Sequence, residues 1–178
     1  MKPSTFSFAA TVALLVAVLA GGLGIPSAAT EAGDYGPAPE FAGIGAWINS
    51  APLTMASLRG KVVLVDFWTW SCANCVRSLP HVRDWHERYS ADGLVVIGVH
   101  TPESDFEKDR ADLESAIARY GIRHAVAQDN DWATWKAWGN HYWPAVYLVD
   151  RRGHIVLRHM GEGGYEEIDA AIRRELGR

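Results

Sequence analysis

The chain has 178 residues, of which 48% are hydrophobic and 21% are charged, and this composition excludes collagen-like, disordered and polytopic membrane proteins. Its formal net charge is −4, and it lacks the clusters of lysine and arginine that a nucleic-acid surface needs, so we expect no nucleic-acid partner. Its two cysteines lie three positions apart, which excludes a multi-disulfide scaffold and a zinc site of four cysteines. The pair is then a redox couple, half of a metal site, or a chance occurrence.

Residues 1–29 have the pattern of an export signal. After Lys2, residues 6–25 are almost wholly apolar, and residues 27–29 supply the small side chains that a signal peptidase reads. An uncleaved membrane anchor over residues 6–25 is the alternative, because about 20 apolar residues can span the hydrocarbon core of a bilayer. The glycines and Pro26 at the end of the apolar stretch favour cleavage. We therefore expect an exported, periplasmic or extracytoplasmic protein that is bound to a membrane only if this segment is kept.

The rest of the chain divides into a short leading segment and one domain. Residues 30–41 are rich in Gly, Pro, Ala and acidic residues, which is typical of a linker or an irregular strand. Residues 42–178 are numerous enough to form one domain with a buried core. Turn residues between positions 47 and 58 predict a short β-hairpin at the start of this domain.

Hydrophobic patterning predicts an α/β fold. The runs KVVLVDF (61–67) and LVVIGV (94–99) are typical of strands buried on both faces of a sheet. Helical spacing between the two runs favours a parallel strand–helix–strand unit, and the turn sequence DRRG at 150–153 predicts an antiparallel hairpin. The full prediction is strands at 61–67, 94–99, 124–127, 145–149 and 154–159, and helices at 72–89, 106–120, 132–138 and from the glycines at 161–164 to residue 176.

The two cysteines, Cys72 and Cys75, lie where a buried strand gives way to a helix. Cys72 is therefore expected at the helix N-terminus, where free N–H groups and the helix dipole stabilise a thiolate. This placement can lower a thiol pKa from about 8.5 to between roughly 3.5 and 7.5. The spacing also keeps the two Cα atoms close enough for a Cys72–Cys75 disulfide. The pattern predicts Cys72 as the attacking nucleophile and Cys75, one turn inward, as the resolving cysteine.

The motif also has two alternative interpretations. The cysteines are either inert residues of the core or half of a zinc site. A haem attachment is excluded, because Val76 rather than a histidine follows Cys75. The position between strand and helix favours redox chemistry over both alternatives.

Several motifs around the cysteines resemble the thioredoxin superfamily. VDFW followed by TWSC resembles its active-site strand and loop, Pro80 falls where its active-site helix is kinked, and the sequence at 143–145 resembles its cis-proline loop. The lead-in LTMASLRGKVVLVDFW is similar to the exported TlpA/ResA-like branch. The motifs FWTWSCANC, GVHTPESDFEK, DNDWATW, YWPAVYLVD and GEGGY resemble the carboxy-terminal domain of DipZ-type proteins. The resemblance implies a thioredoxin-like fold: a central mixed sheet flanked by helices, with an N-terminal hairpin extension and an inserted helix–strand unit.

The resemblance also implies roles for an acid and a proline. Asp66 would be the buried acid beneath Cys75, able to exchange a proton with that thiol because burial raises its pKa. A carboxylate that points into solvent at the end of a strand is the alternative for Asp66. Pro144 would form the cis-proline loop that faces the cysteines, and the residue before it would present its backbone to an extended substrate.

The tryptophans divide into two groups. Trp68 and Trp70 flank the nucleophile, so we expect them to shape access to it and to contact the substrate. Trp143 is expected to contact the substrate as well, although it stands where thioredoxin has a small residue. The members of the second group are spaced three residues apart, which predicts core packing rather than a binding face: Trp132, Trp135 and Trp138.

These features predict an extracytoplasmic thiol-disulfide oxidoreductase that reduces protein disulfides, with no cofactor and no metal. Its partners would be disulfide-containing proteins and, by resemblance, a CcdA/DsbD-type membrane donor of electrons. A peroxiredoxin-like thiol peroxidase is an alternative, because residues 69–72 have T-x-x-C spacing, but Val65 stands where that family has a proline. A copper-binding chaperone of the Sco type is another, although that family spaces its cysteines differently.

Overall fold

The described part of the chain forms one mixed sheet. The structure is a computed structural model that describes Met1 and residues 29–178. In chain order, the strands are β1 (Ala29–Ala32), β2 (Ala46–Ile48), β3 (Val62–Trp68), β4 (Leu94–His100), β5 (Ala125–Gln128), β6 (Ala145–Val149) and β7 (Ile155–Met160). They lie in the order β1-β7-β6-β3-β4-β5-β2. β3, β4 and β5 run parallel to one another, whereas the other neighbouring pairs are antiparallel.

Helices cover both faces of this sheet. Those of the described residues are α1 (Ala73–Tyr89), α2 (Arg110–Arg119), α3 (Ala133–Ala137) and α4 (Tyr165–Leu176). α1 and α4 pack on the face of β3 that carries Val62 and Leu64. The tryptophans at α3 pack on the opposite face, which carries Val63 and Val65. The predicted thioredoxin-like α/β fold is confirmed.

β3 and β4 form where the two apolar runs predict strands. All residues of β3 are buried, because successive side chains point to opposite faces and both faces are covered. β3 and β4 pair in parallel, with Asp66 opposite Gly98. Their carboxyl ends therefore meet at one edge of the sheet, and the loop after β3 lies beside the loop after β4.

The predicted hairpin between residues 47 and 58 does not form. β2 pairs instead with β5, in antiparallel register. The residues that follow β2 form turns, and Met55 and Leu58 are buried among them in the core of one face of the sheet. Glu40 accepts a hydrogen bond from the backbone N–H of Met55 at 2.7 Å. Burial of these side chains holds the segment against the sheet, and this packing replaces the local strand pairing that the turn residues predict.

The helix predicted at 106–120 is divided into two pieces. A 3-10 turn occupies Asp105–Lys108, and α2 begins only at Arg110. Asp109 separates them, because its carboxylate accepts the backbone N–H of Asp112 at 3.0 Å and so caps a new helix. The inserted unit therefore consists of the turn, α2 and β5.

The predicted export segment lies outside the described residues except for its end residues, Met1 and Ala29. β1 begins at Ala29 and pairs with β7, and Pro37 forms an isolated bridge with His154. Much of the predicted leading segment, residues 30–41, thus follows the edge of the sheet. Within the described residues, no helix has both the length and the apolar composition needed to cross a bilayer.

Candidate active site

Cys72 and Cys75 lie at the amino-terminal end of α1, at the edge of the sheet where β3 ends. A short loop follows Trp68, the last residue of β3, and Cys72 caps α1. The backbone N–H of Cys75 donates a hydrogen bond to Cys72 Sγ at 3.3 Å. Both cysteines are free thiols in this structure. Cys72 thus occupies the helix-terminal position that the sequence predicts.

The two thiols differ in exposure and in pKa. Cys72 is partly exposed, whereas Cys75 is 1% exposed. The hydrogen bond from the Cys75 thiol, and those from the backbone N–H groups of Cys75 and Asn74, lower the pKa of Cys72 to about 7 against burial and the charge of Glu103. The bond between the thiols, together with burial, raises the pKa of Cys75. Of the two thiols, Cys72 is therefore the one that ionises near neutral pH, whereas Cys75 keeps its proton.

Asp66 is a buried acid on β3 that interacts electrostatically with both cysteines. It is 1% exposed, and its Oδ1 has no hydrogen-bond partner among the described residues. Burial, followed by the negative charge of Cys72, raises the pKa of Asp66 to about 7. The alternative of a solvent-facing carboxylate is therefore wrong. A buried acid with this pKa can exchange a proton near neutral pH.

The loop at Trp143 and Pro144 lies at the same edge of the sheet as the cysteines. Its peptide bond is cis, and it leads directly into β6, which pairs with β3. The Pro144 carbonyl accepts the backbone N–H of Gly161 at 2.8 Å. The Trp143 indole donates to the carbonyl of Thr101 at 3.1 Å. Bonds on two sides thus fix this loop to the residue after β7 and to the loop after β4.

Trp68 does not border the access path to Cys72, in contrast to the prediction. Its side chain is 0% exposed and packs beside Cys75 in the core. Gly98 on the adjacent strand makes room for this indole, because a Cβ there would lie 2.8 Å from Trp68 Nε1. Trp70 is partly exposed, and its ring meets the exposed ring of Phe106 edge-on with centroids 5.4 Å apart. Of these two tryptophans, only Trp70 reaches the surface near the cysteines.

The three tryptophans that were expected in the core are indeed packed there. Trp135 and Trp138 are buried, and Trp132 is half-buried against them. Trp143 joins this cluster, with its ring centroid 4.1 Å from that of Trp135 and 5.2 Å from that of Trp132. Half-buried itself, Trp143 connects the aromatic core to the surface beside the active site.

Glu107, in the turn after β4, carries a buried carboxylate that no sequence pattern assigns to the site. Its oxygens accept hydrogen bonds from two loops; the donors are Thr69 Oγ1, Ser71 N, Ser71 Oγ, Glu103 N and Ser104 N. Burial raises the pKa of Glu107, but these bonds outweigh it and lower the pKa overall. The S-x-x-E spacing of Ser104 and Glu107 indicates a helix-capping box. No local pattern indicates the bonds to the loop before Cys72.

The histidines near the cysteines in sequence do not form a metal centre. Within residues 29–178, no group of three or more His, Cys, Asp or Glu side chains is arranged to hold a metal ion. His81 is exposed and stacks on Tyr165 with ring centroids 3.6 Å apart, and His141 is exposed as well.

Known proteins share the fold of this chain. The AhpC/TSA family matches residues 36–158. Thiol-disulfide oxidoreductase YkuV of Bacillus subtilis is 34% identical over 140 residues, covering 79% of this chain and 94% of YkuV. Protein DipZ of Mycobacterium tuberculosis is 46% identical over 144 residues, 79% of this chain and 21% of DipZ, so the chain spans about a fifth of that relative's length. A thioredoxin-like protein solved in the oxidized form has a TM-score of 0.72 at 32% identity, covering 79% of this chain and 95% of that one.

The fold and these relatives define a protein of thioredoxin-like architecture that is similar to a thiol-disulfide oxidoreductase. Within that class, the chain belongs to the AhpC/TSA family. The predicted resemblance to DipZ-type proteins is confirmed by the match over 144 residues.

Proposed function

We propose that this chain is an extracytoplasmic thiol-disulfide oxidoreductase that reduces protein disulfides through Cys72 and Cys75. The observation that carries the proposal is the asymmetry of the two thiols: Cys72 is partly exposed with a pKa of about 7, and Cys75 is buried with a raised pKa. An attacking sulfur has to reach the substrate as a thiolate, whereas a resolving sulfur has to keep its proton until the mixed disulfide has formed.

The exchange takes place in two steps. The Cys72 thiolate attacks one sulfur of the substrate disulfide, and the other substrate sulfur leaves as a thiolate that takes a proton from water. The Asp66 carboxylate then accepts the proton of Cys75, and Cys75 attacks the Cys72 sulfur of the mixed disulfide. The second substrate thiolate leaves and receives the proton held by Asp66. The substrate gains two electrons and two protons, and the enzyme keeps a Cys72–Cys75 disulfide.

The surface around Cys72 supplies contacts for an extended substrate chain. Trp70, Cys72 and Trp143 are partly buried around the same cluster of core residues, and Pro144 follows Trp143 at this edge of the sheet. Aromatic side chains offer a large contact area at low conformational cost. Trp70, Trp143 and the Pro144 loop are therefore assigned to substrate binding, and Trp68 acts only by packing beneath them.

The disulfide left on the enzyme has to be reduced before the next cycle. By similarity to DipZ-type proteins, the electrons would come from a CcdA/DsbD-type membrane donor. Export is supported by the apolar stretch at residues 6–25 and by the small residues at 27–29, where a signal peptidase would cleave. Outside the cytosol, a dithiol stays reduced only if such a donor serves it.

Trapping variants test the roles of the two cysteines. With insulin as the disulfide substrate, Cys75→Ala is expected to accumulate a mixed disulfide on Cys72, because the resolving thiol is missing. Cys72→Ala is the matched control and is expected to capture no substrate. Equal capture by the two variants would show that the assigned roles are wrong.

The reduction potential of the wild-type pair tests the direction of electron flow. A value near that of thioredoxin, about −270 mV, is expected for a reductase, whereas a value near about −120 mV would assign the chain as an oxidant.

Peroxide consumption no faster than that of a free thiol is also expected. The Thr69 hydroxyl of the T-x-x-C motif donates its proton to Glu107, so that proton does not serve the Cys72 sulfur.

A further inference from the structure

The carboxylate of Glu107 is placed between two loops at the active-site edge of the sheet. The residue is 0% exposed and belongs to the 3-10 turn Asp105–Lys108. Its Oε2 accepts the backbone N–H groups of Glu103 at 2.6 Å and Ser104 at 2.9 Å. These bonds are those of an ordinary capping box, in which a glutamate accepts backbone N–H groups at the start of its own turn.

The second oxygen of Glu107 accepts hydrogen bonds from a different part of the chain. Its Oε1 accepts the Thr69 hydroxyl, the Ser71 hydroxyl at 2.7 Å and the Ser71 backbone N–H at 3.3 Å. Both donor residues belong to the short loop that joins β3 to Cys72. A capping box does not require these contacts. One of the two carboxylate oxygens, Oε1, therefore bonds the loop that precedes Cys72.

Through this loop, Glu107 acts on both sulfurs. Ser71 directly precedes Cys72 in the chain. Thr69 directs its hydroxyl to Glu107, and its backbone N–H hydrogen-bonds the sulfur of Cys75, which lowers the pKa of Cys75 against larger opposing effects. Any shift of the loop therefore moves the nucleophile and a donor at the resolving sulfur together.

A buried histidine extends this arrangement behind the loop. His100 Nε2 lies 3.2 Å from Thr69 Oγ1. Because the single hydroxyl proton of Thr69 is donated to Glu107, Thr69 Oγ1 has to accept at this contact, so His100 donates from Nε2 as the neutral tautomer. Burial agrees with a neutral ring, since it lowers the pKa of His100 to about 4. His100 donates to Thr69 Oγ1, and the Thr69 hydroxyl donates to Glu107. These two bonds together fix the orientation of the Thr69 hydroxyl.

We propose that Glu107 is a positioning residue that holds the loop of Thr69–Ser71, and through it Cys72 and Cys75, in the geometry needed for disulfide exchange. The inference rests on the proposed function of the two cysteines. Glu107 contacts neither sulfur, and it acts through the loop that bears them. A carboxylate suits this task because it is acceptor-only, whereas a glutamine at this position would turn an NH2 group toward donors.

The matched variants Glu107→Gln and Glu103→Gln separate positioning from charge. The readout is the rate of alkylation of Cys72 by iodoacetamide as a function of pH, in the reduced protein. Glu103 faces Cys72 with a like charge and raises its pKa, so Glu103→Gln is expected to move the midpoint of the profile to lower pH. Glu107→Gln is expected to move it to higher pH, because a loosened loop weakens the hydrogen bonds that stabilise the thiolate. A shift to lower pH, or no shift, in Glu107→Gln would overturn the proposal.

A second variant keeps the test valid if Glu107→Gln does not fold. Ser71→Ala removes one loop donor at an exposed residue and leaves the carboxylate intact, and it is expected to move the midpoint in the same direction as Glu107→Gln, by less. An unchanged profile in this variant would contradict the positioning role. Insulin reduction by Glu107→Gln is expected to slow by roughly tenfold or more, as for misplaced reacting groups. If the wild type reduces no disulfide at all, the proposed function fails, but the alkylation profiles still test Glu107.

Discussion

Two buried carboxylates near the same pair of cysteines have opposite acid–base behaviour. Asp66 has an oxygen without a hydrogen-bond partner in residues 29–178, and its pKa is raised to about 7. Glu107 accepts hydrogen bonds from two loops, and its pKa is lowered. Burial raises the pKa of both, but hydrogen-bond donors offset it at Glu107, whereas the negative charge of Cys72 adds to it at Asp66. Asp66 is therefore suited to move a proton, and Glu107 is suited to hold a loop.

The first and largest test of this difference is Asp66→Asn. The pKa of Asp66 is raised from 3.8 to about 7 in the folded protein, so its contribution to stability is complete below pH 3.8 and is lost as the pH rises through 7. A shift of about 3 units corresponds to about 4 kcal/mol. At pH 8, Asp66→Asn is therefore expected to raise the free energy of unfolding by about this amount in urea denaturation of the reduced protein.

The same denaturation at pH 3.5 provides the control for Asp66→Asn. Both the variant and the wild type are neutral at position 66 there, so their stabilities should agree. A variant that is no more stable than the wild type at pH 8 would show that Asp66 is not held in an unfavourable environment when ionised.

Glu107→Gln is expected to change the free energy of unfolding in the opposite direction to Asp66→Asn, and by less. Loss of the charged acceptor leaves buried donors without partners, which is expected to lower the free energy of unfolding by about 3 kcal/mol at pH 7. Because folding lowers the pKa of Glu107 from 4.5, the stabilisation is present above pH 4.5 and is lost as the pH falls through the folded-state value. Urea denaturation from pH 7 downward should therefore show the difference from the wild type shrinking. A difference that grows on acidification would contradict the assignment, and the exposed Glu103→Gln is the control.

The smallest expected effect is on the pKa of Asp66 when Cys72 is replaced. The charge of Cys72 is the second cause of the raised value, after burial. Cys72→Ala is therefore expected to lower the pKa of Asp66 below 7 while leaving it above 3.8. The carboxyl carbon signal of labelled Asp66, followed by NMR through a pH titration, measures this change. A fall to the ordinary value would mean that the thiolate, rather than burial, is the main cause.

The regular elements of the core could be predicted because their signals are local. β3 and β4 follow from continuous β-branched runs, and α1 follows from helical spacing after Cys72. Turn residues predict a hairpin at residues 47–58, but Met55 and Leu58 pack in the core instead. The sequence pattern predicts one helix at 106–120, and a side-chain cap at Asp109 divides it.

The active site could be predicted only in part, for the same reason. Asp66 interrupts an apolar run six residues before Cys72, which is visible along the chain. The burial of Trp68 depends on Gly98 in the neighbouring strand, so adjacency to the cysteine in sequence was misleading. Glu107 lies 38 positions from Thr69, and only the parallel pairing of β3 and β4 brings the two loops together.

By itself, the sequence determined where the dithiol lies: between a buried strand and a helix, with Cys72 at the helix N-terminus, because these are properties of neighbouring residues. The tertiary structure decided the pKa values of the acidic groups around the two cysteines. A pKa depends on burial and on the donors that surround the group. The segments that bury Asp66 and the donors Thr69 and Ser71 of Glu107 are distant in the chain. The surroundings therefore give Asp66 a raised pKa and Glu107 a lowered one.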